Sequence, residues 1–388
     1  MDKQGRPISR RDVVRAGAGL AVAGLAGAGL ADRAAGAARR GAAGARLTGD
    51  LRPASLTLQQ QAGQRVICSY SGLTPPSSLL QQISAGEAAG VIFITGNISS
   101  ESQISSVVQQ LVAANQASPV QAPLLLMTDQ EGGEVNRLAG APALSEKKVG
   151  ESSDYVTAAS EAGTGAGQNL AGVGMNADLA PVLGVFRQSG DFLDQFQRSY
   201  SNNASKAAQC AQACVTAMMA AGAVPTAKHF PGLGAATASQ DTDVEPVVLN
   251  LSLSTLRSVD EVPYLSVIKA GVQMIMVSWA TYPALDASLP AGLSPAVVQG
   301  ELRGHLGYSG VTITDALEAG ALGAYGTTQQ RAVAAAGAGM DLILCAGASA
   351  SQNSDAVTGL ADALQSGQLG QAGFTASVQR VTALRQSL

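Results

Sequence analysis

The chain is poor in the residues that most metal and redox chemistry uses. It has 388 residues with only two histidines and four cysteines. No cysteine–histidine spacing forms a zinc motif. Aromatic residues make up 4% of the sequence, too few for platforms on which bases or polymeric sugars stack. Charged residues are equally sparse at 13%, with a formal net charge of −4. Without basic patches the surface offers little attraction to nucleic acid or anionic lipid. Neither GxGxxG nor GxxxxGK[ST] opens a helix, which counts against a nucleotide-binding fold. No proline- or serine-rich linker divides the chain after its N-terminal segment, so one domain is expected there. What is abundant is apolar side chain, 46% of residues, enough for a large core.

The first residues stand apart. "SRRDVVR" (Ser9 to Arg15) precedes the apolar run "AGAGLAVAGLAGAGL" (Ala16 to Leu30). A twin arginine ahead of a weakly hydrophobic, glycine-rich segment is the pattern of a twin-arginine export signal. The run is shorter than the roughly 20 residues that span hydrocarbon. Residues 1–45 are therefore read as signal and flexible N-terminal segment, and residues 46–388 as the folded domain. The expected location is secreted or cell-envelope, with no stable membrane anchor after cleavage. That destination is oxidising, so cysteine placement matters. Cys210 and Cys214 are one helical turn apart, where Cβ atoms sit about 5–6 Å from each other rather than the ~3.8 Å of a disulfide. Cys68 and Cys345 fall in apolar runs. Four buried thiols are expected.

Eight short apolar runs follow: "RVICSYSG", "GVIFITG", "PLLLMTD", "MNADLAPV", "VPTAKHF", "MIMVSWA", "GVTITDAL" and "DLILCAG". Between them lie alanine-rich stretches with apolar residues at helical spacing, such as "ISSVVQQLVAANQ" and "ASKAAQCAQACVTAMMAAG". Continuous apolar strands alternating with helices indicate parallel strands buried on both faces. Eight repeats favour an α/β fold of (β/α)8 TIM-barrel type; the pattern alone also permits a doubly wound sheet. In a barrel, polar residues at strand C-termini face the active site. That places Asp129, Lys228, His229, Ser278, Trp279 and Asp315 on one rim, with Arg198 in a loop leaning over it. Two acids and three cations converging there suit a polyhydroxylated ligand. Each residue also has a plainer reading: Asp315 equally fits a cap for a helix starting at "ALEAGAL".

Several ordered motifs resemble glycoside hydrolase family 3, in the single-barrel branch that includes bacterial β-N-acetylhexosaminidases. They are "LLLMTDQEGGEVNRL", "AKHFPGLG", "MIMVSWATYPALD" and "LSPAVVQGELRGHLGYSGVTITDALEAGAL", and they extend over nearly the whole domain. The resemblance implies a retaining glycosidase acting on a carbohydrate without any metal or organic cofactor, with cell-wall fragments among the plausible substrates. Asp315 would be the nucleophile. Asp129, Arg137, Arg198, Lys228 and His229 would hold the terminal sugar. A terminal β-linked N-acetylhexosamine is the favoured substrate, and a β-glucoside the other.

One loop departs from the family pattern. There the Lys-His-Phe-Pro-Gly segment continues as His-Gly-Asp and then Asp-Ser-His, whose later aspartate and histidine form the acid/base dyad. Here Leu233 and Ala235 stand at the first pair, and Ser239 and Asp241 at the dyad. Trp279 replaces a usual histidine and Gly184 a frequent aspartate. Asp241 is the simplest substitute acid, with Asp243 and Glu245 beside it. Two outcomes stay open: an exported glycosidase using Asp241, or a sugar-binding descendant that is catalytically weakened or inactive.

Overall fold

The protein is described by a computed structural model covering residues 56–388. The expected export segment, residues 1–45, lies outside the described residues. Each of the eight apolar runs forms one strand of a single sheet. The strands are β1 (Val66–Cys68), β2 (Gly90–Ile92), β3 (Leu125–Thr128), β6 (Ala177–Asp178), β7 (Val224–Phe230), β8 (Met274–Val277), β9 (Val311–Thr314) and β10 (Ile343–Leu344). A small antiparallel pair, β4 (Gln130–Gly132) and β5 (Val135–Asn136), sits directly after β3. The large sheet runs in the order β10-β1-β2-β3-β6-β7-β8-β9, and every pairing is parallel. A parallel bridge between Ile313 and Leu342 brings the ends together, with the Thr314 amide donating to the Leu342 carbonyl at 3.0 Å. The sheet is thus a (β/α)8 barrel, not an open doubly wound sheet.

The helices between strands follow from local chemistry. In Glu101–Gln116 the Ser100 side chain accepts from the Gln103 amide, and Glu101 in the first turn suits the positive end of the helix dipole. Its buried residues, Ile104, Val107, Val108 and Leu111, recur at i, i+3, i+4 and i+7. The four cysteines are buried thiols without disulfides. No helix among the described residues is long and apolar enough to cross a membrane.

Strand alternation divides the core in two. Ile67, Leu125, Met127, Val224, Met274, Met276, Val311 and Ile313 belong to one cluster, while neighbours such as Val66, Cys68, Leu126, Ile275 and Val277 join the larger cluster under the helices. The first set is the barrel interior, since successive strand residues point to opposite faces. Val381 and Leu384 of the last helix, Gln371–Gln386, pack against that interior. Arg385 ties this helix to the carbonyls of Ala122 and Pro123 at 2.9 and 2.6 Å and to the Gln64 side chain. These groups lie ahead of β3 and β1, so the helix closes the end of the barrel opposite the strand C-termini.

Candidate active site

The inward rows carry the site. Leu125–Met127 continues to Asp129, Val224–Thr226 to Lys228, and Val311–Ile313 to Asp315. A period of two therefore ends each inward row on a charged group at the C-terminal mouth. Lys228 is wholly buried, and its Nζ contacts Asp129 Oδ1 at 2.7 Å and Glu131 Oε1 at 2.8 Å. Arg198 grips the same glutamate in bidentate fashion, Nε to Oε2 at 2.8 Å and Nη2 to Oε1 at 2.9 Å. Two cations and two carboxylates thus form one charge-balanced quartet. Burial pushes the Glu131 carboxyl up, but Arg198 and Lys228 outweigh it and hold the group at about 2.

Two further acids flank the quartet. Asp178 is fully buried; its Oδ1 accepts the Gln130 amide at 2.9 Å, and burial pushes its carboxyl up to about 8. Glu146 accepts the Val182 amide at 2.7 Å, and burial, then the charge of Glu131, pushes it well above the usual carboxylate range. Kept as neutral acids, the two leave the quartet's balance intact.

Asp315 is 3% exposed at the end of β9, with its Oδ2 3.9 Å from His229 Nε2. Its Oδ1 accepts the Ala316 amide at 2.8 Å. The helix-cap reading of Asp315 fails. The chain continues as a turn and then a 3-10 helix, Gly320–Tyr325, whose N-cap is Ala319. The carboxylate is tethered to its own neighbour. Trp279, also buried, donates Nε1–H to the Ala316 carbonyl at 2.9 Å, so both peptide groups of Ala316 are fixed. The indole lies against Gly292, where a Cβ would come within 2.5 Å of Cζ3. Arg137 follows β5; its amide donates to the Asp129 carbonyl at 3.3 Å and to Gln130 Oε1 at 3.1 Å.

The loop after β7 has two halves. Leu233 and Ala236 are buried in the main core cluster. The Ala236 carbonyl accepts from Phe192, and the Ala238 carbonyl from the Gln195 side chain. A Cβ on Gly184 would come within 2.2 Å of Leu193 Cδ1 and 3.3 Å of the Gly234 backbone, so a larger residue there would require the Leu193 side chain to move. The second half turns acidic. Asp241 is 4% exposed, Asp243 half-buried and Glu245 exposed. The carbonyls of Thr242 and Asp243 accept the amides of Ala321 and Gly320 at 3.1 and 2.9 Å. The acid loop therefore packs on the segment C-terminal to Asp315.

Every residue expected at the site lies on the strand ends or loops of this mouth. The sequence reading missed Glu131. The available indication was its position two residues beyond Asp129 in "DQEGG", where two carboxylates sharing a face call for shared cations. Asp178 and Glu146 were also unread, since nothing local distinguishes a buried acid from a solvated one.

Known proteins of the same fold share this barrel. Residues 58–384 match the glycosyl hydrolase family 3 N-terminal domain. The chain belongs to that family, and is an O-glycosyl hydrolase by class. It is 43% identical over 336 residues to an uncharacterized secreted glycosyl hydrolase of Arthroderma benhamiae, covering 86% of this chain and 95% of that one. Among solved structures it resembles a family 3 β-N-acetylglucosaminidase from Paenibacillus sp. str. FPU-7, with a TM-score of 0.81 and 31% identity. That match covers 86% of this chain but 62% of the longer Paenibacillus protein. The β-N-acetylhexosaminidase of Beutenbergia cavernae superposes with a TM-score of 0.76 at 29% identity, covering 85% of this chain and 98% of the other.

Proposed function

We propose that the protein is an exported β-N-acetylhexosaminidase that removes a terminal β-linked sugar by retaining double displacement. The observation that carries this reading is the buried quartet around Lys228 beside the tethered carboxylate of Asp315. In this account Asp129, Arg137, Arg198, Lys228 and His229 hold the hydroxyls of the terminal ring, which places its anomeric carbon before Asp315. Asp315 attacks that carbon while an acid protonates the departing glycosidic oxygen, leaving a glycosyl ester on Asp315. The same acid, now a base, takes a proton from water as the water attacks the anomeric carbon and breaks its bond to Asp315, which frees the carboxylate and restores the β configuration. Asp241 is the acid we favour, because it is the buried carboxylate of its loop and that loop rests on the residues after Asp315. The hexosaminidase names of the solved neighbours favour an N-acetylated sugar. The twin-arginine motif at Ser9–Arg15 and the secreted Arthroderma relative favour export.

A second reading has its own support. Leu233, at a position where the family's loop holds histidine, is buried in the core, which suits a sugar-binding descendant with weak or no turnover. Hydrolysis of nitrophenyl β-N-acetylglucosaminide and β-glucoside separates the two. Turnover favouring the N-acetylated substrate and abolished in Asp315→Asn supports the enzyme. Saturable sugar binding with no turnover of either activated substrate refutes it and leaves the binding protein.

A further inference from the structure

A second cluster of ionisable groups lies outside the mouth, on the outer helical layer. Glu261 ends the π-helical segment Leu256–Asp260 and begins the helix Val262–Lys269. Glu301 and His305 lie four residues apart on a second π-helical segment, Ala296–His305. One ligand atom from each of the three lies within 4.8 Å of the others. π-Helical turns are uncommon and gather at functional sites, and here two of them supply one cluster.

The charges need a partner. Glu261 and Glu301 are 1% and 5% exposed, and two carboxylates buried side by side repel unless a proton or cation lies between them. Arg257 takes both oxygens of Glu301, at 2.7 and 2.9 Å. Glu261 shares a side-chain hydrogen bond with Glu301, and its Oε1 is buried without any donor from the rest of the protein. The nearby Asp260 is engaged with Arg187 at 2.5 Å. His305 Nε2 is 3.8 Å from Glu301 Oε1, and its side chain is 47% exposed, which leaves the cluster open to solvent on that side.

We propose that Glu261, Glu301 and His305 form a binding site for a divalent transition metal, with zinc the best fit. One imidazole nitrogen and two carboxylate oxygens are borderline donors that suit zinc, with water completing the coordination. The ion would join the segment after β7 to the segment after β8. Its role is structural and separate from the sugar chemistry at the mouth. Arg257 is its competitor: to coordinate zinc, Glu301 gives up part of its guanidinium fork.

The test is zinc titration of the chelator-stripped protein by calorimetry, with cobalt(II) absorption as the coordination readout. His305→Ala, a half-exposed position that should fold normally, is expected to lose one zinc equivalent and the cobalt ligand-field bands. Glu261→Gln is expected to weaken binding by about 10-fold or more, as loss of one ligand does. Arg257→Ala is expected to tighten it, since it removes the competitor. Zinc binding elsewhere, for instance at the carboxylates of the mouth, would persist in His305→Ala as a separate equivalent. The proposal is overturned if wild type takes up no zinc, or if His305→Ala binds the same number of equivalents with the same affinity. A proton shared between Glu261 and Glu301 would then account for the cluster.

Discussion

The pocket floor and the loop above it are built by opposite means. On the floor, Asp129, Glu131, Arg198 and Lys228 are buried and mutually paired, and every strong contact among them is a charge-assisted hydrogen bond of 2.7–2.9 Å. In the loop Leu233–Glu245, apolar packing and backbone hydrogen bonds do the anchoring, and the acids come only in its second half. A site that holds a polar ring needs fixed, desolvated donors and acceptors, and strand ends supply them. A proton donor need only be near and correctly protonated, so its loop tolerates rebuilding. The difference teaches that the floor of this mouth, which we propose holds the sugar, is constrained by charge balance, whereas the proposed acid position is constrained by where the loop can rest.

Substitutions can sharpen or break that contrast. The largest effect is expected from Asp315→Asn, which removes the attacking carboxylate and should lower turnover of an aryl glycoside by on the order of 10⁴-fold or more, with sugar affinity retained. Loss of Asp241 should be selective. Asp241→Asn is expected to cost about 10²–10⁴-fold on a natural disaccharide and little on a nitrophenyl glycoside, whose leaving group needs little protonation. Equal losses on both substrates would remove Asp241 from the acid role. On the floor, Lys228→Met leaves Asp129 and Glu131 facing each other with one cation instead of two. Breaking such a buried pair costs about 3–5 kcal/mol, which chemical denaturation would register; a near-neutral result would break the charge-balance argument.

Smaller effects probe the supports. Trp279→Phe keeps the ring against Gly292 but leaves the Ala316 carbonyl without its donor, a cost of about 1–3 kcal/mol. We expect kcat to fall with KM little changed, because Ala316 holds the carboxylate of Asp315 and not the sugar. A further effect is a pH slope. The Asp178 carboxyl is raised from its ordinary 3.8 to about 8 by burial. The folded state therefore binds its proton more tightly than the unfolded chain does. The resulting stability is fully present below about pH 4 and is lost as pH rises through about 8. Asp178→Asn, which keeps an acceptor for the Gln130 amide, should flatten that part of the thermal-melt profile. An unchanged profile would mean that Asp178 is not protonated in the fold.

The fold was legible because all eight apolar runs are strands, and because parallel strands covered on both faces cannot hide their composition. The strand-end acids and cations were legible for the same reason: a polar residue closing an apolar row of period two has only the mouth to face. Glu131 was only partly legible: its place two residues beyond Asp129 hinted at a shared cation, but its bidentate partner Arg198 lies 67 residues away. The raised acids Asp178 and Glu146 were hidden likewise, since their character comes from burial by distant segments. The apolar character of the first half of the loop after β7 was readable from Leu233 and Ala235. Its close packing against Gly184 and the core needed three dimensions. Asp315 gave an ambiguous reading as cap or nucleophile, and the turn directly after it removed the first.

The most direct test of the account is covalent trapping with a fluorinated N-acetylhexosaminyl donor, read by peptide mass spectrometry. The account predicts one glycosyl adduct on the peptide containing Asp315, and none in Asp315→Asn. Saturable sugar binding without any adduct, or an adduct on another carboxylate, would contradict it.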